Sequence, residues 1–252
     1  MDLITTATTT DEEARGSRIA VLPIGSFEQH GHHLPLITDS TVACAIAAAV
    51  AERYRLFLLP PVTIACSHEH AGWPGTVSIS SVTLAAIIRD IAESLQHSGI
   101  EQVVLVNGHG GNYVLSNVVQ EANVDGTRMA LFPQRADWET ARRAAGLASS
   151  AHDDMHAGEI ETSLLLHVRP ELVRDSYKEA DHLAERPHLL ELGMRRYTKS
   201  GVIGQPSLGS AAKGKAVLAS LTDTFTGTLQ ILKATSSRIS DGTNSPTSGR
   251  PR

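Results

Sequence analysis

The feature that most constrains this chain is a six-residue apolar run, Ile19-Ala-Val-Leu-Pro-Ile24, which passes directly into Gly25-Ser-Phe-Glu-Gln-His-Gly-His-His-Leu-Pro-Leu-Ile-Thr-Asp39. A short continuous apolar run bounded by glycine reads as a buried strand. The loop behind it carries Glu28, His30 and Asp39, the oxygen and nitrogen donors that a borderline divalent metal takes. The bland account is an exposed loop whose carboxylates are merely solvated. Gly25, Gly31 and Pro35 make this loop tight and stiff, and the expectation is the first half of a metal site.

The rest of the chain repeats the pattern. Residues 40–54 are alanine-rich with Val42, Ile46 and Val50 at helical spacing, and Leu56-Phe-Leu-Leu59 is a second short strand stopped by Pro60-Pro61. Ser80 or Ser81 can cap a helix whose Leu84, Ile87, Ile88, Ile91 and Leu95 form one apolar stripe. Gln102-Val-Val-Leu-Val106 is a clear strand ended by Asn107-Gly-His-Gly-Gly-Asn112, and Met129-Ala-Leu-Phe132 is a fourth. Strands alternating with helices predict an α/β fold, an αβα sandwich with a mainly parallel sheet. Sites in such folds gather at the carboxyl ends of the strands, so the Glu28 and His109 loops are expected at one sheet edge. Helices are further predicted over 137–147, 157–168, 185–199 and 215–233. The expected organisation is a flexible segment 1–17, a single domain 18–235 and a disordered tail 236–252 rich in Ser, Thr, Gly and Pro.

Composition removes several classes of function. Net charge is -5 and aromatics are 4%, leaving neither the basic field nor the stacking platforms of a nucleic-acid binder. No run of about 18 apolar residues is present to span a membrane. The amino terminus lacks the charged start and apolar core of a signal peptide, so a cytoplasmic protein is expected. Cys44 and Cys66 are the only cysteines, too few for a disulfide framework and read as small buried side chains.

Histidine is the unusual component: twelve are present, several in clusters. His109, flanked by glycines, can reach a metal without steric conflict. The alternative, a phosphate cradle at a helix start, lacks the lysine and hydroxyl of a P-loop. In His156-Ala-Gly-Glu-Ile-Glu-Thr162, His156 and Glu159 share a helix face, while Glu161 falls on the core face with Ile160, Leu164 and Leu165. A carboxylate there must be paired, coordinated or protonated. The bland accounts are a dipole-stabilising acid for Glu159 and a buried salt bridge for Glu161. His70, Trp73 and Thr76 lie on a Gly- and Pro-containing loop that could cover substrate.

These blocks, Leu22 to Leu36 with Asp39, His70 to Thr76, Asn107 to Asn112 and His156 to Thr162, closely resemble in order and spacing the signature of the creatininase family. The resemblance spans roughly residues 18 to 235 and implies a homohexamer with two divalent ions per chain, Zn, Mn or Fe. It implies that Glu28 and His109 hold one metal and His30 the other, with Asp39 bridging, and that His156 is the catalytic histidine. True creatininases carry Tyr-Glu where this chain has Gly110-Gly111, the glutamate being a ligand, and they lack a glutamate at the position of Glu159. The expectation is that Glu159 supplies the missing ligand, and that creatinine is not the substrate. Glu161 joins His70, Trp73 and Thr76 as an expected substrate contact. The implied activity is hydrolysis of a non-peptide amide, cyclic or linear and with formamides included, of a small-molecule substrate. The alternative is a metal-dependent peptidase that trims a modified precursor peptide.

Overall fold

The structure, a computed structural model describing residues 4–241, is built on four strands. They are β1 (Ile19–Ile24), β2 (Phe57–Leu58), β3 (Gln102–Asn107) and β4 (Met129–Phe132), all parallel in the order β2-β1-β3-β4. Among the described residues eight α-helices accompany them: α1 (Thr9–Arg15), α2 (Thr38–Tyr54), α3 (Ser81–His97), α4 (Val114–Ala122), α5 (Arg135–Ala144), α6 (Glu159–Val168), α7 (Leu189–Leu192) and α8 (Ala211–Asp241).

Strand alternation divides the core into two layers. Ile19 and Val21 of β1, with Val104 and Val106 of β3, face one layer with Val42, Ile46 and Val50 of α2, Leu164 and Leu165 of α6, and Leu221 and Phe225 of α8. Ala20, Leu22 and Ile24, with Val103 and Leu105, face the other, covered by Leu84 and Ile88 of α3 and Leu115 and Val118 of α4. This is a three-layer αβα arrangement, the expected fold class. Each fully buried aliphatic or aromatic side chain in these layers contributes about 1.5–3 kcal/mol.

Pro23 sits in a central strand, where a missing N–H ordinarily breaks the ladder. Its carbonyl accepts from Val62 N at 2.9 Å, so the missing donor faces the β2 side. There the ladder with β2 ends at Val21 opposite Leu58 and resumes only as a bridge of Ile24 with Val62, so the missing donor falls in the interruption. On the other side β1 and β3 pair without slippage from Ile19↔Gln102 to Ile24↔Asn107. That register delivers the loops after β1 and β3 side by side at one sheet edge, as the sequence implies.

Several expectations need adjusting. Helix α2 begins two residues earlier than expected and takes Asp39 into its first turn. Within 1–17, Thr8 and Asp11 form a reciprocal capping box that starts α1. The helix expected over 185–199 is not formed: Pro187 precedes His188, which is left-handed at φ 63, and Gly193 at φ 66 ends α7 after four residues. The last helix starts at Ala211 and continues through Asp241, so 236–241 of the expected tail are helical, while 242–252 lie outside the described residues. Among the described residues no helix is long and apolar enough to cross a membrane.

Candidate metal centre

Three chain segments converge beyond the carboxyl ends of β1 and β3. Asn112 ties them together: its Nδ2 donates to Gly25 O at 3.1 Å and to Asn107 Oδ1 at 3.0 Å, and its Oδ1 accepts from Cys66 N at 3.1 Å. Gly108 lets α2 approach, since a Cβ there would overlap the carbonyl oxygen of Asp39. The first turn of α2 therefore lies against the β3 loop, and the Asp39 carboxylate is directed between His30 and His109.

The side chains brought together are nearly dry: Glu28 and His30 are 0% exposed, Asp39 1% and His109 5%. Asp39 Oδ1 lies 3.0 Å from His30 Nε2, and Oδ2 lies 3.0 Å from His109 Nδ1. Glu28 Oε2 is 3.2 Å from His109 Nε2 and accepts from the Ser26 hydroxyl at 2.8 Å. Ligand atoms of Glu28, Asp39 and His109 lie within 4.8 Å of one another, and so do those of His30, Asp39 and Glu161, and of Glu28, His30 and His156. Asp39 belongs to the first two groups, so it stands between them.

The second glutamate of the His156 block is the one that reaches the cluster. Glu161 Oε2 accepts from Ala157 N at 2.6 Å, and the carboxylate faces His30 and Asp39. Glu159 turns the other way. Its carboxylate accepts from Ser149 N at 2.8 Å, Ser149 Oγ at 2.6 Å and Ala148 N at 3.0 Å, and pairs with Lys213 Nζ at 2.5 Å. The expectation that Glu159 fills the place left by Gly111 is corrected by this geometry. Two residues, about 200° around the axis of α6, separate the two roles: Glu159 anchors α8 through Lys213, and Glu161 looks into the cluster.

Protein groups alone leave the charges of the cluster unbalanced. Burial, with the Asp39 charge adding to it, pushes the Glu28 carboxyl up to about 8. Burial also raises Glu161, to about 7. For His30, burial disfavours the cation, but the Asp39 carboxylate outweighs it and raises the group to about 9. Asp39 itself is held far below the usual carboxylate range by His30 and His109 against the effect of burial. His70 and His156 carry the opposite shift, burial pushing His70 down to about 3 and His156 well below its ordinary value.

The donor set fits divalent cations on two observations. Glu28 Oε1 and Asp39 Oδ2 are buried without a hydrogen bond, although each lies within about 3 Å of an imidazole nitrogen. Such near approach without hydrogen-bond alignment leaves charge that a cation would satisfy. Further, His30 Nδ1 donates to Glu28 O at 3.1 Å, and His109 Nε2 donates to Cys66 O at 2.9 Å. Each ring thus has one nitrogen fixed on a carbonyl and the other aimed at Asp39, the usual arrangement of a metal-ligating histidine.

The other expected residues divide between the cluster and its surroundings. His156 packs on His30 and His70, with ring centroids 4.2 and 4.4 Å apart, and its Nε2 donates to Gln29 O at 2.6 Å. His70 is buried beside Glu28, with Nε2 3.1 Å from Oε1. Thr76 accepts from Gln29 N at 3.1 Å and so braces the first loop. Trp73 carries the Arg195 guanidinium 5.2 Å above its ring, outside the cluster. Sequence reasoning passed over Glu69, whose carboxylate is 3.3 Å from His109 Nε2. The only sequence signal was its place between His68 and His70.

Known proteins resemble this chain in both sequence and fold. Residues 4–229 match the family described as Creatininase: Creatinine amidohydrolase. A mycofactocin precursor peptide peptidase of Mycobacterium ulcerans (strain Agy99) is 37% identical over 216 residues, 81% of each chain. The creatinine amidohydrolase of Pseudomonas putida is 26% identical over 228 residues, 81% of this chain and 86% of that one. A solved creatinine amidohydrolase superposes with TM-score 0.75 at 25% identity, covering 89% of this chain and 95% of that one. A creatininase described as a manganese form gives the same TM-score at 23% identity, covering 89% and 96%, and another is described as a Zn–Zn form. The chain belongs to the creatininase family.

Proposed function

We propose that this creatininase-family hydrolase cleaves an amide C–N bond at a centre of two divalent cations, Zn, Mn or Fe. The observation that carries the reading is the pair of buried donor groups sharing Asp39. Glu28 and His109 would hold one ion, His30 and Glu161 the other, and Asp39 both. Cations held there would acidify a water molecule and polarise the substrate carbonyl. The protein's own groups do the rest. His156 keeps one proton at Nε2 on the Gln29 carbonyl, which leaves the Nδ1 lone pair on the Glu28 side, 3.7 Å from Oε1. Nδ1 can therefore take up a proton and pass it to the departing nitrogen. Burial keeps His156 neutral beforehand, as a proton acceptor must be.

Similarity to the mycobacterial peptidases supports a peptide-like substrate, because identity to them (33–37%) exceeds identity to the creatinine amidohydrolase (26%). The second reading, a small non-peptide amide, is supported by the likeness to the creatinine amidohydrolase of Pseudomonas putida over 228 residues. The family resemblance extends the proposal to a homohexamer, which sedimentation would check. The deciding experiment measures metal content by mass spectrometry and then turnover on a panel of short peptides, formamides and cyclic amides. About two ions per chain with peptide cleavage supports the first reading. Two ions with cleavage of small amides alone supports the second. Absence of bound metal overturns both.

A further inference from the structure

Two cavities meet at the candidate centre, sharing His109, Gly110, Met155 and Glu161: one of about 720 Å³ and one of about 260 Å³. Arg186 lines the smaller one and is its only lysine or arginine. Its Nη1 is buried without a hydrogen-bond partner, and Arg186 makes no ion pair among the described residues. Arg195, nearby in sequence, is already engaged: it donates to Gly72 O at 2.6 Å and stacks on Trp73. The two carboxylates of the smaller cavity are engaged as well. Glu69 faces His109, and Glu161 accepts from Ala157 N.

A buried guanidinium nitrogen left unpaired is costly, and the fork of an arginine matches a carboxylate bidentately. We propose that Arg186 recognises a carboxylate on the substrate, next to the amide that is cleaved. This rests on the hydrolase reading above. A cavity of about 260 Å³ is smaller than most whole-ligand sites, so it receives only the part of the substrate adjoining the scissile bond.

The test uses the metal-loaded protein and matched pairs, glycyl-leucine with its carboxamide and N-formyl-leucine with its carboxamide. The wild type should prefer the acids. In Arg186→Ala the ratio of kcat/KM for acid over carboxamide should fall about 10- to 100-fold, chiefly through KM, with Arg186→Lys in between. A merely structural role would lower both members of a pair together and leave the ratio unchanged, which overturns the proposal. Carboxylates held by the cations alone would also give a ratio indifferent to position 186, which overturns it equally. A wild type without preference for the acids overturns it too. If no amide is turned over, the hydrolase reading fails separately. Calorimetric Kd values for N-acetyl-leucine and N-acetyl-leucinamide then supply the same ratio. Should Arg186→Ala fail to fold, Arg186→Gln replaces it.

Discussion

The Glu69 carboxylate fills the space that a side chain at Gly111 would occupy: a Cβ built on Gly111 would overlap Glu69 Oε1 and crowd His109 Nε2. The glutamate of true creatininases cannot simply be restored at this position. Gly111→Glu is expected to displace Glu69 and His109 and lower kcat/KM about tenfold or more, since small misplacements of reacting groups are costly. The double variant Glu69→Ala/Gly111→Glu should recover part of that loss. Rates on an accepted amide, with metal content alongside, decide the matter; a single Gly111→Glu variant with full rate and metal would sink it.

Glu161 and Glu159 should separate cleanly under mutation. Glu161→Gln removes a donor from the His30–Asp39 group and is expected to lower metal content by about one ion per chain. Glu159→Gln removes the charge facing Lys213, whose Nζ keeps its hydrogen bond to Leu208 O, and weakens the hydrogen bonds from Ser149 and Ala148. Its expected effect is a stability loss of about 2–3 kcal/mol with metal content intact. Mass spectrometry of metal and urea denaturation measure the two outcomes, and the reverse pattern would restore Glu159 as a ligand.

Removing cations should destabilise the fold as well as abolish activity. With Glu28 and Asp39 oxygens buried and unsatisfied, ions that bind only the folded chain stabilise it by mass action, about 2.7 kcal/mol at a hundredfold excess over Kd. Dialysis against a chelator should lower Tm by several degrees, and zinc or manganese should restore it. An unchanged Tm would argue that the cluster is satisfied without metal.

His33 gives a pH dependence independent of catalysis. Burial pushes it down to about 4, while Nε2 donates to Ala157 O at 3.1 Å. Between about pH 6.5 and 4 the unfolded chain binds a proton that the folded chain refuses. Stability should therefore fall as pH drops through that window, with a slope approaching about 1.4 kcal/mol per pH unit from this group. Urea midpoints of wild type and His33→Gln across the window test this; parallel curves would exclude the contribution.

The sequence by itself determined the layers and the meeting place. Continuous apolar runs at Ile19–Ile24 and over residues 103–106, alternating with amphipathic segments, leave a parallel sheet covered on both faces as the economical solution. Because each run passes directly into a donor-rich loop, Glu28, His30 and His109 were bound to one sheet edge. Tertiary structure alone decided which glutamate of the His156 block faces them. Glu159 and Glu161 are two residues apart in the first turn of α6 and face nearly opposite sides, and the docking of α6 against α8, with Lys213 beside Glu159, decides which side meets the cluster. The same holds for Glu69 and Arg186. Their roles depend on the space left by Gly111 and on which other arginines are already engaged, and these facts belong to the packing of distant segments rather than to any local pattern.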